Sequence, residues 1–326
     1  MNRRAAALAV LALAMGSAAA QPTANEPGWP SRPIHLIVPF PPASTADVVA
    51  RVLGQKLGAR LGPQFVVENR GGASGNIGAE LIAKAAPDGY TIGIVTASTQ
   101  AVAATLSPNL PYDPIRDFTP VVMIASSPYA LVVYPGLPVS SVAELIALAK
   151  RKPGALNYGS AGPASLAHLA GALFATMTDT QLTHVPYKST AQSVIDMMSG
   201  RLDMQFATIP PSIQTIRAGQ LRALAVTGKS RVDALPQTPT MAEAGVPGYE
   251  ATLWFALVAP AKFPPRLAGR LNHEIAEALD TVDMKELLAQ QGLVAEAGPP
   301  DLLTAQIRGD IAKWRDVIAR AGITAE

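Results

Sequence analysis

At 326 residues, 49% of them hydrophobic and only 15% charged, the chain has enough apolar material for two globular domains and does not read as disordered. It contains no cysteine, which excludes a disulfide framework, thiolate catalysis and cysteine-held metal. The formal charge of +2 falls to 0 once residues 1–20, with Arg3 and Arg4 and no acid, are set aside, so no basic footprint for nucleic acid remains.

The N-terminus reads as a targeting segment. Arg3-Arg4 precede an apolar stretch from Ala5 to Met15, and Ala18-Ala19-Ala20 ends in an A-x-A pattern. The stretch is too short, and too closely followed by Pro22, to span a bilayer. Residues 1–20 are therefore expected to be a cleaved secretory signal, residues 21–28 a leader, and the mature protein exported and soluble.

The first folded stretch sets the pattern. Ile34-His35-Leu36-Ile37 is rich in strand formers, and Pro39, Pro41 and Pro42 then forbid a helix and stiffen the turn. Ser44, Thr45 and Asp47 are helix-capping types, and Val48, Val49, Val52, Leu53 and Leu57 recur at helical spacing. A helix N-terminus facing such a turn favours an anion, through its free amides and its dipole. Alone, this is an ordinary strand-to-helix connection; its repetition gives it weight.

Phe65 to Asn69 reads as a second strand, followed by glycines at Gly72, Gly75 and Gly78 and a helix to about Ala86. That spacing is neither G-x-G-x-x-G nor a P-loop, so a close-packed or ligand-facing loop is expected rather than a nucleotide site. Tyr90 to Val95 is a third strand, ending in Thr96-Ala97-Ser98-Thr99-Gln100, where hydroxyls again sit at a helix start. Val121 to Val133, interrupted near Ser126-Ser127-Pro128, reads as the first crossing between two lobes. A second strand-and-helix series follows: a helix from Ser141 to about Lys152, a strand at Leu156 to Tyr158, a small-residue loop from Gly159 to Ser165, and a helix from Leu166 to Thr176. Leu182 to Tyr187 is a strand whose Val185-Pro186-Tyr187 echoes Val38-Pro39-Phe40, and a helix from Ala191 to Met198 follows. Leu202 to Ala207 and Leu221 to Val226 are further strands, and Ala251 to Ala259 is the crossing back. A helix carrying Leu267, Leu271, Ile275 and Leu279, then two shorter helices, close the chain. The alternation predicts an α/β protein with parallel sheets covered on both faces.

Catalytic signatures are sparse. None of His35, His168, His184 and His273 forms H-E-x-x-H, and Gly159-Ser160-Ala161-Gly162 is not the G-x-S-x-G elbow. No carboxylate and histidine cluster indicates a metal, and no cofactor is expected. Loops rich in donors and poor in acids, bases and nucleophiles suit binding rather than turnover. Arg70 and Lys188 are the positive charges beside these loops, and each reads better as scaffold than as a ligand clamp.

From about Trp29 onward the chain resembles the Bug receptors, the periplasmic solute-binding proteins of tripartite tricarboxylate transporters. The resemblance rests on Ile37-Val38-Pro39-Phe40-Pro41-Pro42 with Asp47, on Val67-Glu68-Asn69-Arg70-Gly71-Gly72 with Gly75-Asn76-Ile77-Gly78, and on Ala86-Pro87-Asp88-Gly89-Tyr90-Thr91. It continues through Leu110-Pro111-Tyr112-Asp113-Pro114, Val185-Pro186-Tyr187-Lys188, Leu221 to Thr227, Pro239-Thr240, Glu243-Ala244-Gly245, Pro247-Gly248-Tyr249 and Trp254-Phe255. It implies a two-lobed periplasmic-binding-protein fold, type II-like, with two crossing strands as hinge. It also implies a small carboxylate held in the cleft by amides and hydroxyls, and delivery to membrane permease subunits. The sequence departs from the usual family pattern at Ala43-Ser44, Gln100, Ala164-Ser165 (with Pro163 before it) and Ser189, where the family has Gly-Gly, His, Gly-Ser and Gly.

The expectations follow. Residues 29–127 plus 250–326 form lobe one and residues 128–249 lobe two, with crossings near 128–134 and 251–258. The protein is a monomer and not an enzyme. Phe40, Ala43, Ser44, Thr45, Asp47, Ser98 and Thr99 from lobe one, and Ser160, Ala161, Ser165 and Tyr187 from lobe two, line the ligand site. Asp47 either caps its own helix or accepts from a water that donates to the ligand. The rival readings are an exported α/β hydrolase using Ser160 or Ser44, and a receptor that feeds a signalling partner without transport.

Overall fold

The computed structural model describes residues 28–324, apart from 43, 108, 161, 164, 188, 189 and 291. The expected signal segment, and all but the last residue of the leader, lie outside these described residues, as do Ala43 and Ala161 of the expected site.

Strand β1 (Ile34–Val38) leads through the proline turn into α1 (Thr45–Leu61). Strand β2 (Phe65–Asn69), α2 (Asn76–Ala83) and β3 (Thr91–Thr96) follow. After β3 the chain makes a π-helical turn over Ser98–Val102 and a single turn, α3 (Ala103–Leu106). Strand β4 (Phe118–Val133) is 16 residues long and continuous through Pro128, where a break was expected. Pro128 has no amide hydrogen to give, and it stands where the partners change. Its register mate Thr252 begins the next crossing strand, and from Tyr129 onward β4 pairs with other strands.

The second series runs α4 (Val142–Arg151), β5 (Asn157–Ser160), α5 (Leu166–Thr178), β6 (Thr183–Pro186), α6 (Thr190–Met198), β7 (Met204–Thr208), α7 (Ile209–Arg217) and β8 (Arg222–Val226). Strand β9 (Thr252–Pro260) returns, followed by α8 (Pro265–Leu279), α9 (Val282–Gln290), the two-residue β10 (Val294–Ala295) and α10 (Pro300–Ala321). Helix α7 and strand β10 were not foreseen. Nor is the final helix short: α10, with 22 residues, is longer than the 15-residue α8. Leu303, Ile307, Trp314, Val317 and Ile318 keep one apolar face buried along it, which sustains the helix to Gly322.

Strand order is β2-β1-β3-β9-β4 in the first half and β6-β5-β7-β4-β8 in the second, so β4 serves both. Numbered within each half, both orders read second, first, third, an inserted antiparallel strand, then fourth. Helices α1 and α8 cover one face of the first sheet, burying Val49, Leu53, Leu57, Leu271 and Ile275 against Leu36, Ile94 and Leu257. A larger core on the other face runs from Ile82 and Val95 through Ile307 and Trp314 of α10 to Leu169 and Phe174 of α5. One apolar cluster thus spans both halves on the α10 side.

Candidate ligand cleft

Register locates the site. The last rung of β3 is Thr96, opposite Phe255, which lies opposite Ala125 of β4. The last rung of β7 is Thr208, opposite Tyr129 of β4. Both parallel arrays therefore present their C-terminal ends to one waist, separated by the four residue steps from Ala125 to Tyr129, about 13 Å of strand. Turns at the carboxyl ends of parallel strands are where α/β sheets bind ligands.

On the first side, three turns converge on glycines that have no room for a side chain. A Cβ at Gly78 would lie 2.6 Å from Pro39 Cα and 2.7 Å from the Arg70 carbonyl oxygen. One at Gly75, where φ is +97°, would lie 2.8 Å from Thr99 Cγ2 and 3.5 Å from Phe40 Cζ. The glycine loop after β2 is thus a close-packed buttress for the turn after β1, and it brings Phe40 and Thr99 together. Ser44 is the N-cap of α1, its oxygen accepting from the Asp47 amide at 3.3 Å.

Ser44 does the capping, and the buried Asp47 carboxylate accepts from Arg51 Nε at 3.1 Å and from Asn69 Nδ2 at 2.9 Å. Arg51 adds a second nitrogen at 2.9 Å. Asn69 Nδ2 also donates to the Phe40 carbonyl at 3.1 Å, so this network pins the turn itself. Its negative charge is thus compensated inside the protein, by Arg51 and Asn69. Asp47 and Arg51 stand at i, i+4 spacing, a signal the sequence carried.

The Thr99 hydroxyl is committed too. It donates to the Thr96 carbonyl at 3.1 Å and accepts from the Thr96 amide at 3.1 Å. It closes the strand-to-helix turn and has no proton left for a ligand, which corrects its expected role as a donor. Ser98 is half-buried, and its hydroxyl has no hydrogen-bond partner among the described residues; the same holds for Thr45. Gln100, at a family departure, is fully buried with both amide atoms unpartnered, as is the hydroxyl of buried Thr96. Tyr112 is buried, and its hydroxyl donates to the Thr99 carbonyl at 2.7 Å.

On the second side, the turn after β5 is closed by side chains. Ser160 is fully buried, and its Oγ lies 2.7 Å from His184 Nε2 and 2.9 Å from the Gly162 carbonyl, and accepts from the Gly162 amide at 3.1 Å. Ser165 caps α5 at the His168 amide and donates to the Gly162 carbonyl at 2.8 Å. The Tyr187 amide donates to the Ser160 carbonyl at 3.0 Å, while its phenol donates to Asp196 at 3.1 Å. Burial and then Asp196 push that phenol's pKa up. Ser160, Ser165 and Tyr187 are thus brought together, but the two serine hydroxyls serve the turn and the tyrosine serves α6. Among the described residues no hydrogen bond joins this group to the first-side turns.

His168 and His184 were passed over in the sequence, 16 residues apart on different elements. Their rings stack, centroids 3.7 Å apart and 7° from parallel. Burial, and then His184, push the His168 imidazole down to about 4, and burial also lowers His184, so both are neutral at pH 7. The pair lines a cavity of about 500 Å³ with Tyr158, Asp179, Thr180 and Arg320. Wider concavities of about 850 and 530 Å³ lie against α10, and none of these is lined by the turns after β1 or β3. Of the two expected cations, Arg70 is paired to Glu68 at 2.8 Å and exposed, and Lys188 lies outside the described residues.

Residues 49–323 match the family model described as "Tripartite tricarboxylate transporter family receptor". The chain belongs to this receptor family. It is 37% identical over 316 residues to protein BugT of Bordetella pertussis, covering 97% of each chain. Among solved receptors, an R. palustris protein determined with adipate has a TM-score of 0.75 at 40% identity, covering 91% of this chain and 99% of that one. MatC from Rhodopseudomonas palustris, determined with bound malate, has a TM-score of 0.71 at 29% identity, over 89% of this chain and all of that one. These receptors share the two-lobed α/β fold of periplasmic binding proteins. No described helix of this chain is long and apolar enough to cross a membrane.

Proposed function

We propose that this chain is an extracytoplasmic receptor that captures a small carboxylate between two lobes and delivers it to the permease subunits of a tripartite tricarboxylate-type transporter. The observation that carries the reading is the convergence of both sets of strand C-termini on the Ala125 to Tyr129 waist, with the capped N-termini of α1 and α5 opening from those turns. The adipate and malate bound by family members support the ligand class. The lobe division at 29–127 plus 250–326 against 128–249 is supported by the change of β4 partners at Pro128. Residues 1–20 act as the export signal, and the receptor works in the periplasm as a monomer.

Corrected for the commitments of the Asp47, Thr99, Ser160, Ser165 and Tyr187 side chains, the ligand carboxylate is held by amides around Ala43 to Thr45 and Ser160-Ala161, and by the hydroxyls of Ser44, Thr45 and Ser98. Four or five such contacts, at about 1.5–3 kcal/mol each, less the cost of ordering, reach micromolar affinity. Thermal shift and calorimetry with a panel of dicarboxylates that includes adipate and malate test this, because a ligand of the folded state raises the midpoint. A panel without a single binder overturns the ligand class.

The Ser160–His184 distance of 2.7 Å is that of a hydrolytic dyad and is the one observation that favours an enzyme. Ser160 is fully enclosed and already engaged with both polar backbone atoms of Gly162, which favours the structural role. Turnover of an ester panel that Ser160→Ala abolishes would reverse that choice.

A further inference from the structure

We infer that His184 is a positioning residue for the ligand turn of the second lobe, acting through Ser160. The inference rests on the reading that the turn after β5 faces ligand. The turn is enclosed by a closed circuit of contacts that runs through three elements. His184 on β6 holds Ser160 at the end of β5, at 2.7 Å. Ser160 holds both the amide and the carbonyl of Gly162, at 3.1 and 2.9 Å. The Gly162 carbonyl also accepts from Ser165, the cap of α5, whose oxygen in turn holds the His168 amide at 3.3 Å. His168 then stacks on His184 and closes the circuit.

Proton arithmetic fixes what His184 supplies. Ser160 has one hydroxyl hydrogen and three polar neighbours. If that hydrogen goes to the Gly162 carbonyl, His184 must carry its proton on Nε2 and donate, and all three contacts are satisfied. If Nε2 is bare, it takes the serine hydrogen and Ser160 no longer holds the Gly162 carbonyl. The Nε2–H tautomer is therefore the one that secures the turn. Gly162 itself has φ +110°, which glycine adopts without strain but among many other conformations, so bonds to its amide and carbonyl are what hold the turn in one of them. The stacked partner 3.7 Å away is neutral too, so no charge beside His184 disturbs that neutral tautomer.

The test separates the nitrogen from the ring. His184→Gln keeps a donor near Nε2 and loses the ring; His184→Phe keeps a stacking ring and loses the donor. Hydrogen exchange of the ligand-free full chain reads the turn directly, through the peptide covering residues 157–168. His184→Phe should speed exchange there by about tenfold, and His184→Gln by less than about twofold, with α8 unchanged as internal control. Ser160→Ala, which removes the hub without touching the stack, should match His184→Phe. With adipate as probe, His184→Phe should weaken binding by about fivefold or more and His184→Gln by less than about twofold. Wild-type protection of the turn in His184→Phe, or equal loosening in His184→Gln and His184→Phe, overturns the inference. Failure of the wild type to bind adipate bears on the proposed ligand instead, and the exchange experiment still decides the role of His184.

Discussion

Asp47→Ala should destabilise the fold by about 2–3 kcal/mol, mainly by freeing the turn after β1. The carboxylate is 3% exposed and receives two nitrogens of Arg51 and one of Asn69, at 2.9–3.1 Å. A hydrogen bond to a charged group contributes about 1.5–3 kcal/mol when dry. The Arg51 side chain is 53% exposed, so water screens that pair, and its share falls to about 1 kcal/mol. The buried Asn69 contact adds about 1 kcal/mol, and the orphaned amide a little more. The melting temperature should fall by about 5 °C for a chain of this size. Asp47→Asn preserves shape and an acceptor and should cost about half as much. Urea unfolding of Asp47→Ala, Arg51→Ala and the double variant gives a coupling energy, expected near 1 kcal/mol. A coupling of zero, or a loss within about 0.5 kcal/mol, would refute the network as the hold on the turn. Unchanged stability with altered ligand choice would restore the role of ordering a ligand-bound water.

Acid should weaken the protein through His168. Its folded pKa of about 4 lies below the ordinary 6.5, so its contribution is complete above pH 6.5 and is lost as pH falls towards 4. The ceiling is about 3 kcal/mol, with His184 acting in the same direction, in surroundings that include Tyr158, Asp179 and Arg320. Urea midpoints at pH 7 and 4.5 should fall further in the wild type than in His168→Leu; equal falls would sink the assignment. Gly78→Ala forces a methyl onto the Pro39 backbone and should cost at least about 1–3 kcal/mol. Gly269→Ala, exposed on α8 with nothing within 4 Å, should gain up to about 1 kcal/mol in the same thermal melts. Thr99→Val should cost about 1–2 kcal/mol of stability because its hydroxyl closes a turn, whereas Ser98→Ala should spare the fold and weaken carboxylate binding by about 1 kcal/mol in calorimetry.

Local signals in the sequence were enough for much of this architecture. The stripe Val49, Leu53, Leu57, the caps Ser44, Ser141 and Ser165, and the stiff turn at Pro39 to Pro42 each declare themselves over a few residues, and each stands where expected. What was hidden is non-local. A hydroxyl in a turn reads as a free donor until its neighbours are known: Thr99 and Ser160 are spent on backbone three and two residues away, while Ser98 is not. The stacked histidines come from α5 and β6, and no periodicity joins them. Strand β10 has only two residues, too few to carry a pattern, and α10 was shortened because Gly309 and its charged neighbours mask a face that only packing reveals.

The place of β9 has a consequence for how the chain is made. It lies between β3 and β4, yet it is synthesised some 120 residues after β4 ends. Until it arrives, Gly93 to Thr96 and the facing edge of β4 have no partner, so the first lobe cannot close its sheet. The strands of the second lobe lie together between residues 129 and 226 and can assemble as soon as they emerge. Closing the first lobe is then a long-range event, slow by its sequence separation. For a chain that crosses a membrane unfolded, as the proposed export requires, that delay is useful. The half translated first stays threadable longest, and a late strand does the work of a lock turned only on the far side.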